Sequence, residues 1–540
     1  MLKGLRMTAE SKSRTTRSGI PLKNYYGADD RIPAGRNEAP GQFPFMRGRR
    51  DQAPRTGSWI QRELSGEGDA RRSNQQFHEL LAHGQTGLDI IGDGPTGAQL
   101  DPDHPLAANA IGTQGVSVCH KQDFLDLLKD IPLDRMSVSA SFPPLFFVPG
   151  LCIAAREYGF TRTGLRGSTV LKPLYCETNG LGENMGLDAR VRTACDVIAF
   201  CAAEMPRFHA YVEDTYFFSE SGLTPVEEMA LGFVEIRYLV REMLSRGVDI
   251  DSFAPRIVIL VNCGMEFFEE IAKIRATRRL FARMIRDEFG AKDPRSWSVV
   301  VTSHTSGLTM TTQQLANNIV RGTTQALSLV LAGAQAMEIS TFDEGYRTPT
   351  AEAHLVGLRT QQIIDLETGA AKVVDPLGGS YFVEALTAEM ERRIWDMVLD
   401  IEARGHPRDL DESGWFRQFF DDKMRRHLNQ VESGERPLVG VNVHRMAPEG
   451  DTLLRDVSER KIRPYRQRAQ EVRDFRARRD QAKAAAALRS VLAVAEGTEN
   501  LVPPVMSALD AGATMGEIAG VIRMAYGEPY DPFGALQPPV

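Results

Sequence analysis

Short apolar runs alternate with long amphipathic segments between residues 75 and 404, and this alternation constrains the fold more than any other feature of the chain. Short apolar runs are typical of buried strands, whereas apolar residues that recur every three or four positions indicate helices. Strands and helices in strict alternation favour an α/β fold, here a (β/α)8 TIM barrel. A doubly wound open sheet remains an alternative, because alternation alone does not show that the sheet closes. The predicted strands are 87–91, 136–141, 167–171, 209–213, 256–261, 297–302, 336–340 and 371–375.

The composition divides the chain into three regions. Residues 1–40 are rich in Arg, Ser, Gly and Pro and have no apolar periodicity, which predicts an extended N-terminal arm. Residues 41–404 carry the alternating pattern of the barrel, and residues 405–540 carry charged, helical patterns that predict a C-terminal helical region. The clearest helical patterns of the barrel region are 225–245, 264–289, 311–332 and 383–404.

Charge and hydropathy exclude two classes of partner. The net charge is -7 and the isoelectric point is about 5.9, whereas surfaces that bind nucleic acid are basic. No stretch approaches the roughly 18 consecutive apolar residues of a membrane span. The six cysteines form no CxxC pair, which favours buried free thiols in a reducing compartment. We therefore expect a cytoplasmic protein that binds neither nucleic acid nor a membrane.

The second predicted strand departs from the usual interior of a barrel. Residues of a strand alternate between its two faces, so Ser137, Ser139 and Ser141 share one face while Val138 and Ala140 share the other. Barrel interiors are normally filled by Val, Ile and Leu. If the serine face points inward, the axis is small and polar, with room for a ligand. If it points outward, the serines face solvent or a helix, and the sequence leaves both interpretations open.

Several short motifs resemble one family of enzymes. The motifs are GQFPFMRG (41–48), DPDHP (101–105), IPLDRMSVS (131–139), DPLGGSY (375–381) and, near the C-terminus, AGATMG (511–516). Together they resemble the methylmalonyl-CoA mutase superfamily, over residues 41 to about 530, and the C-terminal motif resembles the separate large subunits of 2-hydroxyisobutyryl-CoA and isobutyryl-CoA mutases.

This resemblance implies an adenosylcobalamin-dependent mutase that rearranges the carbon skeleton of an acyl-CoA or another acyl thioester. It implies a barrel that admits the pantetheine arm along its axis, with cobalamin over the carboxyl-terminal face. In such enzymes the cofactor supplies the radical chemistry, and the protein supplies orientation and the exclusion of water. The resemblance further implies paired large and small subunits, with a large-subunit dimer within a heterotetramer.

The cobalt-ligating motif of the family, DxHxxG, has only a poor counterpart here. EAHLVG at 352–357 begins with Glu and lies in an amphipathic segment rather than in a loop at the end of a strand. The resemblance therefore implies that a separate small subunit carrying DxHxxG binds the cobalamin, and that this chain supplies no metal ligand.

The resemblance also assigns roles to individual residues. Tyr216 matches the tyrosine that wedges between substrate and corrin and promotes loss of the adenosyl group. Glu344, with Gly66 and Ser340 near it, matches the residue that binds the adenosine ribose. Gln335 matches a polar substrate contact. Contacts to CoA or to the substrate channel are implied for Arg62, Arg256, Ser139, Ser141 and Ser168.

Several family positions are altered in ways that concern the substrate. The family histidine that hydrogen-bonds the thioester carbonyl is Phe217 here, and a family glutamine is His304. The arginine and the tyrosine that recognise a substrate carboxylate fall at Gly180 and Leu64. Without them a carboxylate would be unpaired in a dry site, so methylmalonyl-CoA is not the expected substrate. CoA contacts of the family are replaced by Arg50, Gln52, Gly57 and Ile60.

Three functions follow from these matches and departures. The first is a mutase acting on an uncharged acyl-CoA, with His304 in place of the lost histidine; the alternative for His304 is a barrel histidine with its hydrogen bonds satisfied. The second keeps the radical chemistry but uses a carrier-bound or free substrate. The third is a catalytically silent mutase subunit, which the loss of the histidine supports and the retention of Tyr216 and Glu344 opposes.

Overall fold

The computed structural model describes residues 14–31, 38–52, 59–175, 184–460 and 462–539. Seven of the eight predicted strands are confirmed within these residues, and β3 has the predicted bounds. The strands are β1 (Ile60–Gln61), β2 (Leu64–Ser65), β3 (Gly87–Ile91), β4 (Ser137–Ser141), β5 (Arg166–Leu171), β6 (Phe208–Asp214), β7 (Ile257–Cys263), β8 (Val300–Thr305) and β9 (Ala336–Glu338). They form one parallel sheet in the order β1-β9-β8-β7-β6-β5-β4-β3-β2.

The sheet closes on itself at residues 60–65. β1 pairs with β9 through Ile60 and Ala336, while β2 pairs with β3 through Leu64 and Asp89. The two ends of the strand order therefore lie in one short segment, and β1 and β2 together take one position of an eight-position barrel. This geometry confirms the predicted TIM barrel over the open sheet.

Helices follow the strands and pack on the outside of the barrel. The four clearest predicted helices are confirmed as α7, α9, α10 and α12, and α7 has the predicted bounds because Thr224 and Glu227 form a capping box before its first turn. Among the described residues, no helix is long and apolar enough to cross a membrane. The helices are α1 (Ala70–Ala82), α2 (Gly94–Gly97), α3 (Lys121–Leu127), α4 (Pro144–Glu157), α5 (Leu187–Glu204), α6 (Tyr216–Glu220), α7 (Pro225–Ser245), α8 (Ile250–Phe253), α9 (Phe267–Arg283), α10 (Ala316–Ala332), α11 (Ala351–Leu366), α12 (Tyr381–Glu402), α13 (Pro407–Glu412), α14 (Trp415–Glu432), α15 (Thr452–Glu459), α16 (Gln467–Arg478), α17 (Gln481–Ala495), α18 (Val502–Asp510) and α19 (Met515–Ala525).

β4 shows which face of the strands points into the barrel. Val138 and Ala140 are buried in a core shared with the outer helices, whereas the Ser139 hydroxyl lies 2.7 Å from the Ser168 hydroxyl on β5. The serine face therefore points inward, as the first of the two interpretations predicts. The other half of the interior is apolar and packs around Tyr216; its residues are Val170, Val212, Val258, Leu260 and Val300.

One predicted strand is wrong. Residues 371–375 form turns and bends between α11 and α12, and Val373 is 64% exposed. A strand of a parallel barrel is buried on both faces, so this segment cannot belong to it. Its place in the barrel is taken by residues 60–65, where Arg62 and Glu63 interrupt the apolar run that would have marked a strand.

The regions on either side of the barrel pack against it. Near the N-terminus, the backbone N–H groups of Arg17 and Ser18 each donate to the Glu269 carboxylate of α9 at 3.1 Å. Near the C-terminus, α17, α18 and α19 share a hydrophobic core with α4. Both described regions are therefore fixed to the outside of the barrel, and the cavity described below lies in the barrel itself.

Candidate functional site

A cavity of about 450 Å³ lies at the carboxyl-terminal ends of the barrel strands. Ligand sites of TIM barrels are built at this end, where loops from several strands converge. Three of the predicted substrate residues line the cavity, namely Leu64, Ser141 and Phe217. Two of the predicted cofactor residues, Gly66 and Glu344, line it as well. The structure thus brings these predicted residues, from distant parts of the chain, to the lining of one cavity.

Tyr216 and His304 lie beside each other in the barrel interior, with their ring centroids 4.9 Å apart. Tyr216 is the first residue of α6 and is buried. His304 Nε2 lies 2.9 Å from a Glu338 carboxylate oxygen. Burial lowers the pKa of His304 to about 4, against the opposing effect of Asp89, so its ring is neutral at neutral pH. His304 Nε2 nevertheless has no hydrogen-bond partner among the described residues, so the interpretation as a satisfied barrel histidine is not supported, and a role for His304 toward the substrate remains a prediction.

Arg62 lies at the centre of a charged cluster on the barrel axis. Its guanidinium contacts Asp89 at 3.0 Å and Glu338 at 2.7 Å. It also donates a hydrogen bond of 2.8 Å to Ser139, whose hydroxyl meets Ser168. Arg62 is only 4% exposed, so both ion pairs are shielded from water. The structure therefore joins three predicted residues in one network, and Arg62 would have to leave its carboxylates to reach a CoA phosphate.

The predicted cofactor residues lie together at the carboxyl-terminal end. The Thr341 backbone N–H donates to the Glu344 carboxyl at 3.0 Å. Burial raises the pKa of Glu344 to about 7, although hydrogen bonds from Thr341 and Ser340 oppose the rise. Gly66 has a φ of +141°, and a Cβ at this position would lie 2.7 Å from the Ile91 carbonyl oxygen, so the position requires glycine. A carboxyl group in this wall can accept hydrogen bonds from a diol.

Two predicted substrate residues lie at the opposite, amino-terminal end of the barrel. Gln335 directly precedes β9; its side chain accepts a hydrogen bond from the Val301 backbone at 2.8 Å and donates one to the Gly333 carbonyl at 2.6 Å. Arg256 directly precedes β7 and is half-buried. The structure does not bring either residue to the cavity. The predicted Gly180 lies outside the described residues.

Arg256 belongs to a group of arginines at the amino-terminal end. Burial lowers the pKa of Arg49 to about 10, and repulsion from Arg50 and Arg256 adds to the effect. Arg49 donates a hydrogen bond of 2.9 Å to the Ser298 hydroxyl. In the part of the chain that the structure describes, none of the three arginines forms a salt bridge with a carboxylate. Arginines without counter-charges form an anion-binding surface.

Two side-chain groups hold metal-ligand atoms close together, but each already contains a cation. In both groups an arginine contacts a carboxylate and balances part of the charge that a metal ion would balance, although Arg62 faces the two carboxylates of its group alone. The groups are Asp89–His304–Glu338, with Arg62, and Cys119–His120–Asp123, with Arg468.

Sequence reasoning missed four charged residues of this interior. Asp89 and Glu338 lie on the axis, while Lys172 and Asp214 line the cavity. A signal was present, because each is a charged residue within a predicted strand or directly after one. Charged residues are rare in strands buried on both faces, so such positions indicate a site.

Comparison with known proteins identifies the family. The sequence profile described as Methylmalonyl-CoA mutase matches residues 15–528. The chain is 34% identical over 521 residues to the 2-hydroxyisobutanoyl-CoA mutase large subunit of Aquincola tertiaricarbonis, which covers 94% of this chain and 91% of that protein. It is 33% identical over 535 residues to methylmalonyl-CoA mutase of Rhizobium meliloti (strain 1021), which covers 97% of this chain and 74% of that protein. It is 31% identical over 528 residues to methylmalonyl-CoA mutase of Escherichia coli (strain K12), which covers 96% of this chain and 73% of that protein. Because the matches span nearly all of the chain, it belongs to the methylmalonyl-CoA mutase family of acyl-CoA mutases, which are isomerases.

Proposed function

We propose that this chain is the large, substrate-binding subunit of an adenosylcobalamin-dependent mutase that rearranges the carbon skeleton of an acyl-CoA. One observation carries the proposal: the two ends of a single barrel offer two kinds of binding group. The amino-terminal end presents arginines without counter-charges, and the carboxyl-terminal end encloses a cavity. An acyl-CoA has the matching polarity, with phosphates at one end and a small acyl group at the other.

The amino-terminal arginines support binding of the CoA phosphates. Burial is the main cause of the lowered pKa of Arg49, and repulsion from Arg50 and Arg256 adds to it. A bound phosphate would relieve this repulsion and would accept hydrogen bonds from the planar guanidinium groups. Between this end and the cavity, Ser139 and Ser168 give the axis small polar groups that suit an amide-containing arm.

The carboxyl-terminal cavity fits the adenosyl part of adenosylcobalamin. Glu344 offers a carboxyl to the ribose diol, and Gly66 lets the backbone pass close to the Ile91 carbonyl in the lining of the same cavity. When bound, adenosylcobalamin supplies the radical that abstracts a hydrogen atom from the substrate. Tyr216 packs against Phe217 with a centroid distance of 5.4 Å, and this pair orients the substrate and keeps water out.

A separate small subunit is proposed to bind the cobalamin. His354, the histidine of the EAHLVG motif, lies in α11 with both ring nitrogens engaged. Its Nε2 lies 3.1 Å from the Leu64 carbonyl oxygen and its Nδ1 lies 3.5 Å from the Gln76 amide, so it is not free to bind cobalt. The match to one relative covers 91% of that protein's length, and that protein is named a large subunit. We infer a large-subunit dimer within a heterotetramer, acting in the cytoplasm, where the five described cysteines stay reduced and buried.

The acyl group is proposed to lack a free carboxylate. Leu64 and Phe217 present apolar surface to the cavity, and its Lys172 ammonium already lies 3.8 Å from the buried Asp214 carboxylate. A substrate carboxylate would add a second negative charge beside this pair in a site with little water to screen it. Methylmalonyl-CoA is therefore not the proposed substrate.

One observation favours a second candidate, in which the substrate is not a CoA ester. Arg62 and its ion pairs with Asp89 and Glu338 lie across the axis that a pantetheine arm would follow. If these ion pairs stay formed and block the axis, the same radical chemistry would act on a small free molecule that reaches the cavity from the carboxyl-terminal end.

An anaerobic assay of this chain with a small DxHxxG subunit and adenosylcobalamin tests both candidates. Linear, branched and hydroxylated acyl-CoAs and the matching free acids are screened for isomers by chromatography and mass spectrometry. An isomer from an acyl-CoA supports the proposal, and isomers from free acids alone support the second candidate. No isomer from a complex verified by size-exclusion chromatography would favour a silent subunit. Tyr216→Phe should lower turnover at least about tenfold, whereas the surface variant Tyr158→Phe should not.

A further inference from the structure

Lys172 and Asp214 form a pair inside the carboxyl-terminal cavity. Lys172 directly follows β5 and Asp214 ends β6; because Leu171 and Glu213 are register partners, the two next residues lie side by side. Both line the cavity. The Lys172 ammonium lies 3.8 Å from an Asp214 carboxylate oxygen and 4.1 Å from the centroid of the Phe217 ring.

The pair has hydrogen-bonding capacity that the protein does not use. A separation of 3.8 Å is too long for a direct hydrogen bond, which spans about 2.7–3.2 Å. The Lys172 ammonium donates no hydrogen bond to the residues that the structure describes. Asp214 Oδ1 has no hydrogen-bond partner, although the side chain is only 1% exposed. Buried polar groups normally have partners, and one oxygen atom between the two side chains would be within reach of both.

The chemistry of the pair selects the group that would lie there. A carboxylate could pair with Lys172 but would bring a second negative charge against Asp214, and an ammonium group could pair with Asp214 but would bring a second positive charge against Lys172. A carbonyl oxygen could accept from Lys172 but would leave Asp214 Oδ1 without a donor. A hydroxyl group satisfies both, because it accepts a hydrogen bond from Lys172 and donates one to Asp214.

The cavity around the pair has both apolar and polar lining. Leu64, Ile91 and Val170 line it together with polar residues such as Ser141 and Glu344, and the Phe217 ring lies under the ammonium. We propose that Lys172 and Asp214 bind a hydroxyl group on an otherwise apolar acyl chain and make this subunit selective for hydroxyacyl thioesters. This inference rests on the proposed mutase function and names the substrate class of the same cavity.

The test compares acyl-CoAs that differ by one oxygen atom. Binding of 2-hydroxyisobutyryl-CoA and isobutyryl-CoA, and of 3-hydroxybutyryl-CoA and butyryl-CoA, is measured by calorimetry on the complex with its small subunit. The wild-type complex should bind at least one hydroxylated member about 10- to 100-fold more tightly than its partner, since hydrogen bonds to charged groups contribute this much. Lys172→Met and Asp214→Ala should each reduce the preference to less than about threefold.

The outcomes separate this inference from the proposed function. Lys121→Met is the matched control, because Lys121 pairs with Glu157 and Asp510 far from the cavity, and it should retain the preference. If the wild-type complex binds the hydroxylated and the unhydroxylated member of each pair equally tightly, the inference about Lys172 and Asp214 is overturned and the proposed acyl-CoA function is not. This outcome does not depend on whether the variants fold. A preference that survives in both folded variants would also overturn it. Failure of all four thioesters to bind would overturn the proposed acyl-CoA function itself.

Discussion

Arg62→Met removes the cation from the charged cluster on the barrel axis. The guanidinium contacts Asp89 at 3.0 Å and Glu338 at 2.7 Å, and both carboxylates are almost fully buried. Methionine is unbranched and of similar length, so the apolar part of the side chain is largely retained. Removing one member of a buried ion pair costs roughly 3–5 kcal/mol, because the remaining charge has neither a partner nor water. We expect a loss of unfolding free energy of this size.

The loss should depend on pH in a defined direction. Burial raises the pKa of Asp89 well above its ordinary value, and Arg62 opposes this rise. Without Arg62 the pKa of Asp89 in the folded protein rises further, while its value in the unfolded chain is unchanged. A carboxyl whose pKa is raised by folding loses its stabilising proton as pH rises, so stability falls with pH. The difference in unfolding free energy between variant and wild type should therefore widen as pH rises from the folded-state pKa of Asp89 in the wild type to its higher pKa in the variant, by roughly 1.4 kcal/mol per pH unit for each extra proton retained.

Urea denaturation followed by far-ultraviolet circular dichroism measures both effects. Arg71→Met is the matched control, because its guanidinium is 77% exposed and pairs with Asp126 at the surface, where ion pairs contribute less than about 1 kcal/mol. Adding Asp89→Asn and Glu338→Gln to Arg62→Met should recover most of the lost stability, since the unpaired charges are gone. A loss no larger than that of the control, or one that does not change with pH, would refute the view that Arg62 holds these carboxylates.

Three further predictions follow from single contacts. Burial raises the pKa of Glu235, against the hydrogen bonds that it accepts from the Leu174 backbone and from the neighbouring buried Glu213, so the wild type should lose stability as pH rises above about 4.5. Glu235→Gln keeps the acceptor for the Leu174 backbone N–H and should make this fall shallower in a denaturation series, whereas an unchanged slope would contradict the assignment. Gly150→Ala should lower the unfolding free energy by about 1–3 kcal/mol, because its Cβ would lie 2.3 Å from the Phe124 ring; an unchanged melting temperature would argue against this packing. Since Glu344 has a pKa of about 7, cofactor affinity of the complex should rise as this group ionises from about pH 6 to 8, and Glu344→Gln should remove the rise in a spectrophotometric titration. Parallel profiles for variant and wild type would exclude Glu344 from the ribose site.

Most of the fold could be predicted because period and length separate strands from helices. β3 has its predicted bounds, and so does α7, whose start is marked by Thr224, Pro225 and Glu227. The first barrel position could not be found in this way, because Arg62 and Glu63 interrupt residues 60–65. Only the pairing of Ile60 with β9 and of Leu64 with β3 shows that this segment closes the barrel.

The candidate site was predictable only where a motif or a resemblance marked a residue. Gly66 and Glu344 were assigned from the resemblance, and the structure places both on one cavity. Lys172 and Asp214 belong to no shared motif, and their proximity follows from the register between β5 and β6. Register depends on partners that are 42 residues apart in sequence, so neither composition nor periodicity could reveal this pair. The inward orientation of Ser139 was likewise open until the neighbouring strands were known.

The uneven polarity of the barrel interior is better explained by a ligand than by stability. Buried ion pairs can often be replaced by apolar residues without loss of stability, so Arg62, Asp89 and Glu338 are not required for the barrel to fold. These residues lie on the side formed by residues 60–65, β3 and β9, whereas Val212 and Leu260 fill the side formed by β6 and β7. The arginines lie at the amino-terminal ends of β7 and β8, and the cavity lies at the carboxyl-terminal end of the barrel. A ligand with a polar arm, which contacts polar groups along one side of the interior and apolar groups along the other, fits an interior divided in this way.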